Sequence, residues 1–302
     1  MGKNEKINIV LATNKRYLRY SVVAIFSILD KSVDPRKIVI HLLLTQKISP
    51  HDIKKLYQIT DKFNSTLKTI EMKSDLLEGL PVYSYYRKDV YSRIYFADMF
   101  PRIDRFIYLD SDLILCDSIE KLWKDNLLGN IIGAIEFESL RNVYSKKIGG
   151  QSFFSSGVLL VDAKKYRKEN IAQKIDKYLR KNKGKLIFAD QDALNFVLKS
   201  KWKKISSKWN VDAANYNDGQ EISIIHFIGS QIRKPLHPLC ASEKKELYYY
   251  YLQQTGWKSI FQTYIVRKLL FIIGTPIKTS CMYLKSVLGV FGIYSDKLTN
   301  QC

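Results

Sequence analysis

The sequence predicts an α/β protein with a mostly parallel sheet covered by helices on both faces. Three observations predict it. Short β-rich runs alternate with helix-patterned segments from Ile7 to Leu109. Several of those runs are apolar throughout, as strands buried on both faces must be. A pair of carboxylates, Asp110 and Asp112, follows one such run. Open α/β sheets bind ligands at such strand ends.

The elements follow in order. Ile7 to Ala12 is a short β-rich run, and Thr13 to Arg16 a polar loop. Tyr17 to Leu29 is helix-like, and Lys37 to Leu44 (KIVIHLLL) is a second buried strand. Ser49-Pro50 opens a helix with proline near its first turn. Leu67 to Met72 is a third strand, Arg93 to Met99 a helix closed by Pro101, and Arg105 to Leu109 (RFIYL) a fourth strand. The expected division is a catalytic domain over 1–240 and a helical extension over 241–302. The extension contains four consecutive tyrosines, Tyr248 to Tyr251, and apolar stretches over 260–273 and 277–291. In the second stretch Ile277, Cys281, Leu284, Leu288 and Phe291 recur at helical spacing between Lys278 and Lys285, an amphipathic pattern with basic flanks.

Composition narrows the function. The chain has 302 residues, 46% of them hydrophobic, which suits a folded protein rather than a disordered one. A formal net charge of +20 attracts anions: phosphorylated substrates, anionic lipid headgroups or nucleic acid. The four cysteines, Cys116, Cys240, Cys281 and Cys302, form no C-x-x-C pair, so neither a zinc site nor a disulfide framework is expected. No run approaches the roughly 20 apolar residues of a spanning helix. The Ile7 to Ala12 run is too short for a secretion signal. The expectation is a cytoplasmic protein, peripheral on a membrane surface.

Three clusters carry chemistry. Asp110 and Asp112, two apart on an extended segment, would point to one side and repel unless a cation lay between them. Mn²⁺ or Mg²⁺ suits such oxygen ligands and also binds a diphosphate. His226, after Ile224-Ile225, can end another strand and offer an imidazole to the metal. Beyond it Gly229 would let a backbone approach a phosphate, and Lys234 would pair with it. The third cluster, Asp190-Gln191-Asp192-Ala193-Leu194-Asn195, offers sugar-hydroxyl partners or, at Asp190 or Asp192, an ordinary helix cap.

In order, these pieces are Tyr108-Leu109-Asp110-Ser111-Asp112, Phe154-Ser155-Ser156-Gly157-Val158-Leu159-Leu160, Asp190 to Asn195, and His226 to Pro235. That order over residues 7 to 240 resembles glycosyltransferase family 8. The resemblance implies a GT-A, Rossmann-like fold and retaining transfer of glucose or galactose from a UDP-sugar. The implied acceptor is a lipopolysaccharide, surface-polysaccharide or other lipid-linked saccharide. It implies that Asp110, Asp112 and His226 hold Mn²⁺ or Mg²⁺, with Ser111 between the carboxylates at the nucleotide-sugar site. Gly229 and Lys234 would hold the diphosphate; a longer gap after His226 leaves Arg233 as an alternative. Arg93 would reach donor sugar and phosphate, Ala12 and Asn14 the uridine, and Asp190 and Gln191 the sugar's reacting face. Retention would use Asp190 or Gln191 as a covalent nucleophile, or acceptor attack from the leaving-group side. Lys15 and Arg16 depart from the family, which carries acidic residues at that loop.

Two rivals start from the same residues. A haloacid-dehalogenase-type phosphatase also uses D-x-D at a strand end, but near its N-terminus and with Thr or Val where Ile114 stands. A basic nucleic-acid binder leaves the paired carboxylates unexplained, and no nucleic-acid partner is expected. The basic, aromatic extension is expected to meet an anionic membrane surface.

Overall fold

The structure is a computed structural model that describes residues 5–82, 88–137, 152–237 and 239–257. Strand β1 (Ile7–Thr13) leads to helix α1 (Leu18–Lys31), β2 (Ile38–Leu44), α2 (Pro50–Lys62) and β3 (Thr66–Glu71). A 3-10 segment, Lys88–Ile94, precedes the single turn α3 (Phe96–Met99), and β4 (Arg105–Leu109), β5 (Leu113–Leu115) and α4 (Ile119–Trp123) follow. Then come β6 (Ile132–Glu136), β7 (Phe154–Asp162), α5 (Ala163–Lys168), α6 (Ile171–Lys181) and α7 (Asp190–Val197). The last elements are β8 (Trp202–Lys204), β9 (Val211–Asp212), β10 (Ile224–His226) and α8 (Lys245–Gln254).

Seven strands form one sheet in the order β3-β2-β1-β4-β7-β6-β8. All neighbours are parallel except at β7, which runs against both β4 and β6. The sheet is therefore mixed and mostly parallel, as its apolar runs predict; every residue of β2 is buried. Alternation divides the core in two. Ile7, Ile9 and Leu11 of β1 face α1, α2, α4 and α8, while Val10 faces the side covered by α3, α5, α6 and α7. A smaller sheet, β5-β10-β9, stands beside the first.

The local rules hold well in the first half. Ser49 caps α2 by accepting from the Asp52 amide at 3.1 Å, with Pro50 at the first helical position. The expected helix over Arg93 to Met99 is instead a 3-10 segment and one α-turn, with Tyr95 between them. In α8, Tyr248, Tyr249 and Tyr251 are buried and hydrogen-bond to the Arg19 carbonyl, the Pro235 carbonyl and Asp30, whereas Tyr250 is exposed. Residues past 240, as far as Trp257, thus pack in the same buried cluster as β1 and α1. The stretches 260–273 and 277–291, with Cys281 and Cys302, lie outside the described residues. Cys240 is buried and Cys116 half-buried. No helix among the described residues is long and apolar enough to cross a membrane.

Candidate active site

The carboxyl ends of β1 and β4, parallel neighbours in the sheet, open the site. Asp110 and Asp112 do not lie on an extended segment as the D-x-D reading assumed. β4 ends at Leu109, and Ser111 and Asp112 form a bend before β5. The carboxylates converge because β5 pairs with β10, which aligns Leu113 with His226. The His226 Nε2 is 3.1 Å from an Asp112 oxygen and 3.7 Å from an Asp110 oxygen. One ligand atom from each of the three lies within 4.8 Å of the other two.

The residues fit a divalent cation. His226 Nδ1 is 2.7 Å from the Asn210 side-chain oxygen, an acceptor, and Nε2 faces carboxylates. A neutral imidazole has one proton for these two acceptors. A cation held by Asp110, Asp112 and His226 would supply the positive charge that second contact lacks, with Asn210 fixing the ring from behind.

The chain also brings its own cations to the two carboxylates, Arg93 at Asp110 and Lys234 at Asp112. The Lys234 ammonium contacts Asp112 and donates to the Phe227 carbonyl at 2.5 Å. Burial works against the Lys234 charge, but Asp112 beside it raises its pKa overall. Burial works against the Asp112 carboxylate too, and Lys234 and His226 hold it below the usual range. Arg233 turns away to Asp212 at 2.8 Å, so Lys234 is the one aimed into the site. Gly229, at φ +97°, is in the left-handed region that the turn after His226 requires.

Arg93 is the second hub. Its guanidinium is 3.0 Å from both Asp110 and Asp190, and it donates to the Ser156 carbonyl and hydroxyl at 3.0 and 2.9 Å. It also lies over the Tyr108 ring, whose hydroxyl donates to Asp110 at 2.5 Å. Burial opposes the Arg93 charge, but Asp110 and Asp190 outweigh it and raise its pKa. Burial pushes the Asp190 carboxyl up to about 6, Arg93 opposing and Asp110 reinforcing the rise. Neither Asp190 nor Asp192 is the ordinary cap of α7: Ala189 holds that position at φ 48° and ψ −110°, a strained conformation for alanine. Asp192 instead accepts from the Ile187 and Phe188 amides at 2.7 and 3.1 Å. The Gln191 oxygen accepts from the Ser156 amide at 2.9 Å, which ties α7 to β7.

At the end of β1, Ser111 Oγ donates to the Ala12 carbonyl at 2.6 Å and joins the β4 and β1 loops. Asn14 accepts from the Arg16 and Tyr17 amides at 2.9 and 2.8 Å and donates to Asp89 at 2.7 Å. Its oxygen is thus occupied in starting α1.

Sequence reasoning assigned no role to Gly157 or Asn210. A Cβ on Gly157 would sit 2.5 Å from His226 Cε1 and 3.1 Å from an Asp110 oxygen. The glycine inside Phe154 to Leu160 was its only signal; Asn210 had none.

The chain matches the family description Glycosyl transferase family 8 over residues 8–237. It is 26% identical over 284 residues to General stress protein A of Bacillus subtilis (strain 168), spanning 86% of this chain and 98% of that one. It is 29% identical over 262 residues to Glycosyltransferase GlyA of Streptococcus pneumoniae serotype 4, covering 82% of this chain but 35% of GlyA. Among solved structures, galactosyltransferase LgtC in complex with donor and acceptor sugar analogs superposes with a TM-score of 0.74 at 24% identity. That match covers 82% of this chain and 96% of LgtC. At that identity the likeness bears on the fold, which is shared.

Proposed function

The chain belongs to glycosyltransferase family 8, and from that premise we propose that it transfers glucose or galactose from a UDP-sugar, with retention, to a glycan acceptor. The observation that carries this reading is the convergence of Asp110, Asp112 and His226 beside Lys234 and Arg93. Paired carboxylates with an imidazole hold Mn²⁺ or Mg²⁺; flanking cations meet a diphosphate. Bound there, the metal would act as a Lewis acid on the diphosphate oxygens.

The remaining work falls to side chains. Lys234 neutralises negative charge that grows on the departing UDP, and Gly229 gives a phosphate close access to the backbone. Arg93, anchored on Asp110 and Asp190, sets the spacing between the metal ligands and the donor sugar. Asp190 and Gln191 line the sugar's reacting face. The Gln191 oxygen is held by the Ser156 amide and an amide is a poor nucleophile, which favours acceptor attack from the leaving-group side. In that route a leaving phosphate oxygen takes the acceptor's proton.

The acceptor in this reading is a lipid-linked saccharide, lipopolysaccharide or surface-polysaccharide precursor, met at the anionic cytoplasmic face of a membrane. The phosphatase and nucleic-acid readings gain nothing from the site. The deciding experiment is a panel of UDP-sugars incubated with Mn²⁺ and scored by release of UDP, which needs no acceptor. One UDP-hexose is expected to be hydrolysed and excess chelator to stop it. Hydrolysis indifferent to chelator removes the metal from the proposal.

A further inference from the structure

We propose that the face formed by α6, the following loop and Phe196 of α7 docks onto an anionic lipid bilayer. The inference rests on the reading above that the acceptor is presented at a membrane, and it assigns the contact to a surface of the catalytic unit. Helix α6 buries Ile171, Ala172, Ile175 and Leu179. Its opposite side carries Lys174, Lys177 and Lys181, all exposed and spaced at three and four residues, hence in one stripe. Arg180 is paired with Asp176, but none of these three lysines has a carboxylate within ion-pair distance among the described residues. Lys185, also exposed, continues the charge into the loop.

An ordinary solvated helix would have lysines there too. Two features distinguish this one. Tyr178, three residues before Lys181 and four after Lys174, stacks on Phe196 with ring centroids 4.2 Å apart. Phe196 is 41% exposed, so the stacked pair opens an aromatic face on α6 beside the lysines, and Ile187, in the loop that follows α6, is 49% exposed. Phosphate alone would need the lysines; an interface that also accepts hydrocarbon uses the aromatic and aliphatic groups. The patch is close to the chemistry. Gln191 and Phe196 lie on the same helix, about 7.5 Å apart along its axis at about 1.5 Å per residue. The docking face thus includes a residue of the same two-turn helix that carries Asp190 and Gln191.

The test uses the full chain on phosphatidylcholine vesicles with and without phosphatidylglycerol. The wild type is expected to bind the anionic vesicles, with affinity falling as salt rises. K174E/K177E/K181E should weaken that binding by at least tenfold, since each lysine near such a surface contributes roughly fivefold. K174Q/K177Q/K181Q should give an intermediate loss, and circular dichroism should show both variants folded. F196S with I187S should lower binding without changing its salt dependence. Equal binding of wild type to neutral vesicles overturns the proposal. So does a charge-reversed variant that binds anionic vesicles like wild type, the result expected if residues 258–302 supply the whole attachment. So does one that loses polyphosphate binding yet keeps vesicle binding. UDP release from a UDP-hexose in free solution should be unchanged in every variant. Its absence from the wild type would fault the glycosyltransferase reading and leave the vesicle comparison intact.

Discussion

His226 packs against the backbone of Gly157 with no room for a side chain: a Cβ there would lie 2.5 Å from the His226 ring. The glycine on β7 therefore sets where the third candidate metal ligand stands. Gly157→Ala should displace the imidazole and lower Mn²⁺ affinity, measured by calorimetry with UDP present, by at least tenfold. The backbone itself needs no glycine conformation, so secondary structure should persist. Unchanged affinity would separate His226 from the metal.

Asp110→Ala and Asp112→Ala should each abolish transfer together with metal-dependent binding of UDP. Undiminished turnover by either variant removes the metal assignment.

Asp112→Ala should also cost stability, because it leaves the Lys234 ammonium buried without its carboxylate. Breaking a buried pair from one side costs about 3–5 kcal/mol. Adding Lys234→Met should recover much of that loss in urea denaturation while leaving activity absent. A double variant no more stable than Asp112→Ala would show that the pair contributes little.

The glycosidic bond formed should be α from an α-linked donor, read from the anomeric coupling constant by NMR. Mass spectrometry should find no hexose on Asp190 or Gln191 during turnover. A β product contradicts the retaining assignment, and a stable adduct on either residue contradicts attack from the leaving-group side.

His41 should make the fold acid-sensitive. It is buried on β2 with Nε2 2.9 Å from Asn8 and Nδ1 without a hydrogen-bond partner among the described residues, and burial, helped by Lys68, lowers its pKa to about 4. The unfolded chain takes up this proton near 6.5 and the folded one near 4, so the unfolded state binds more protons between those values. Stability is full above about pH 6.5 and falls as pH drops, with the loss complete near pH 4 at about 3 kcal/mol. His41→Gln should flatten that slope in denaturation curves taken across this window. An unaltered slope would assign the acid sensitivity to other groups.

The sequence was legible where one local rule acts. The apolar run Ile38 to Leu44 is a buried strand, Ser49-Pro50 starts a helix, and Arg105 to Leu109 is a strand that ends just before Asp110. It was less legible at Arg93 to Met99, where helical pattern gave way to a 3-10 segment and one turn. That segment turns its arginine toward two carboxylates on other elements, a demand no local periodicity records.

What the sequence determined by itself is the inventory: an α/β pattern, two carboxylates after a strand, a histidine and a lysine further on, in an order that resembles one family. What only the tertiary structure decided is who meets whom. Asp112, His226 and Lys234 are joined because β5 pairs with β10, and Asp110, Arg93 and Asp190 because the 3-10 segment faces the start of α7. Those meetings span up to 122 residues of chain. They depend on sheet pairing, on the absence of a side chain at Gly157 and on burial strong enough to make each charge seek a partner.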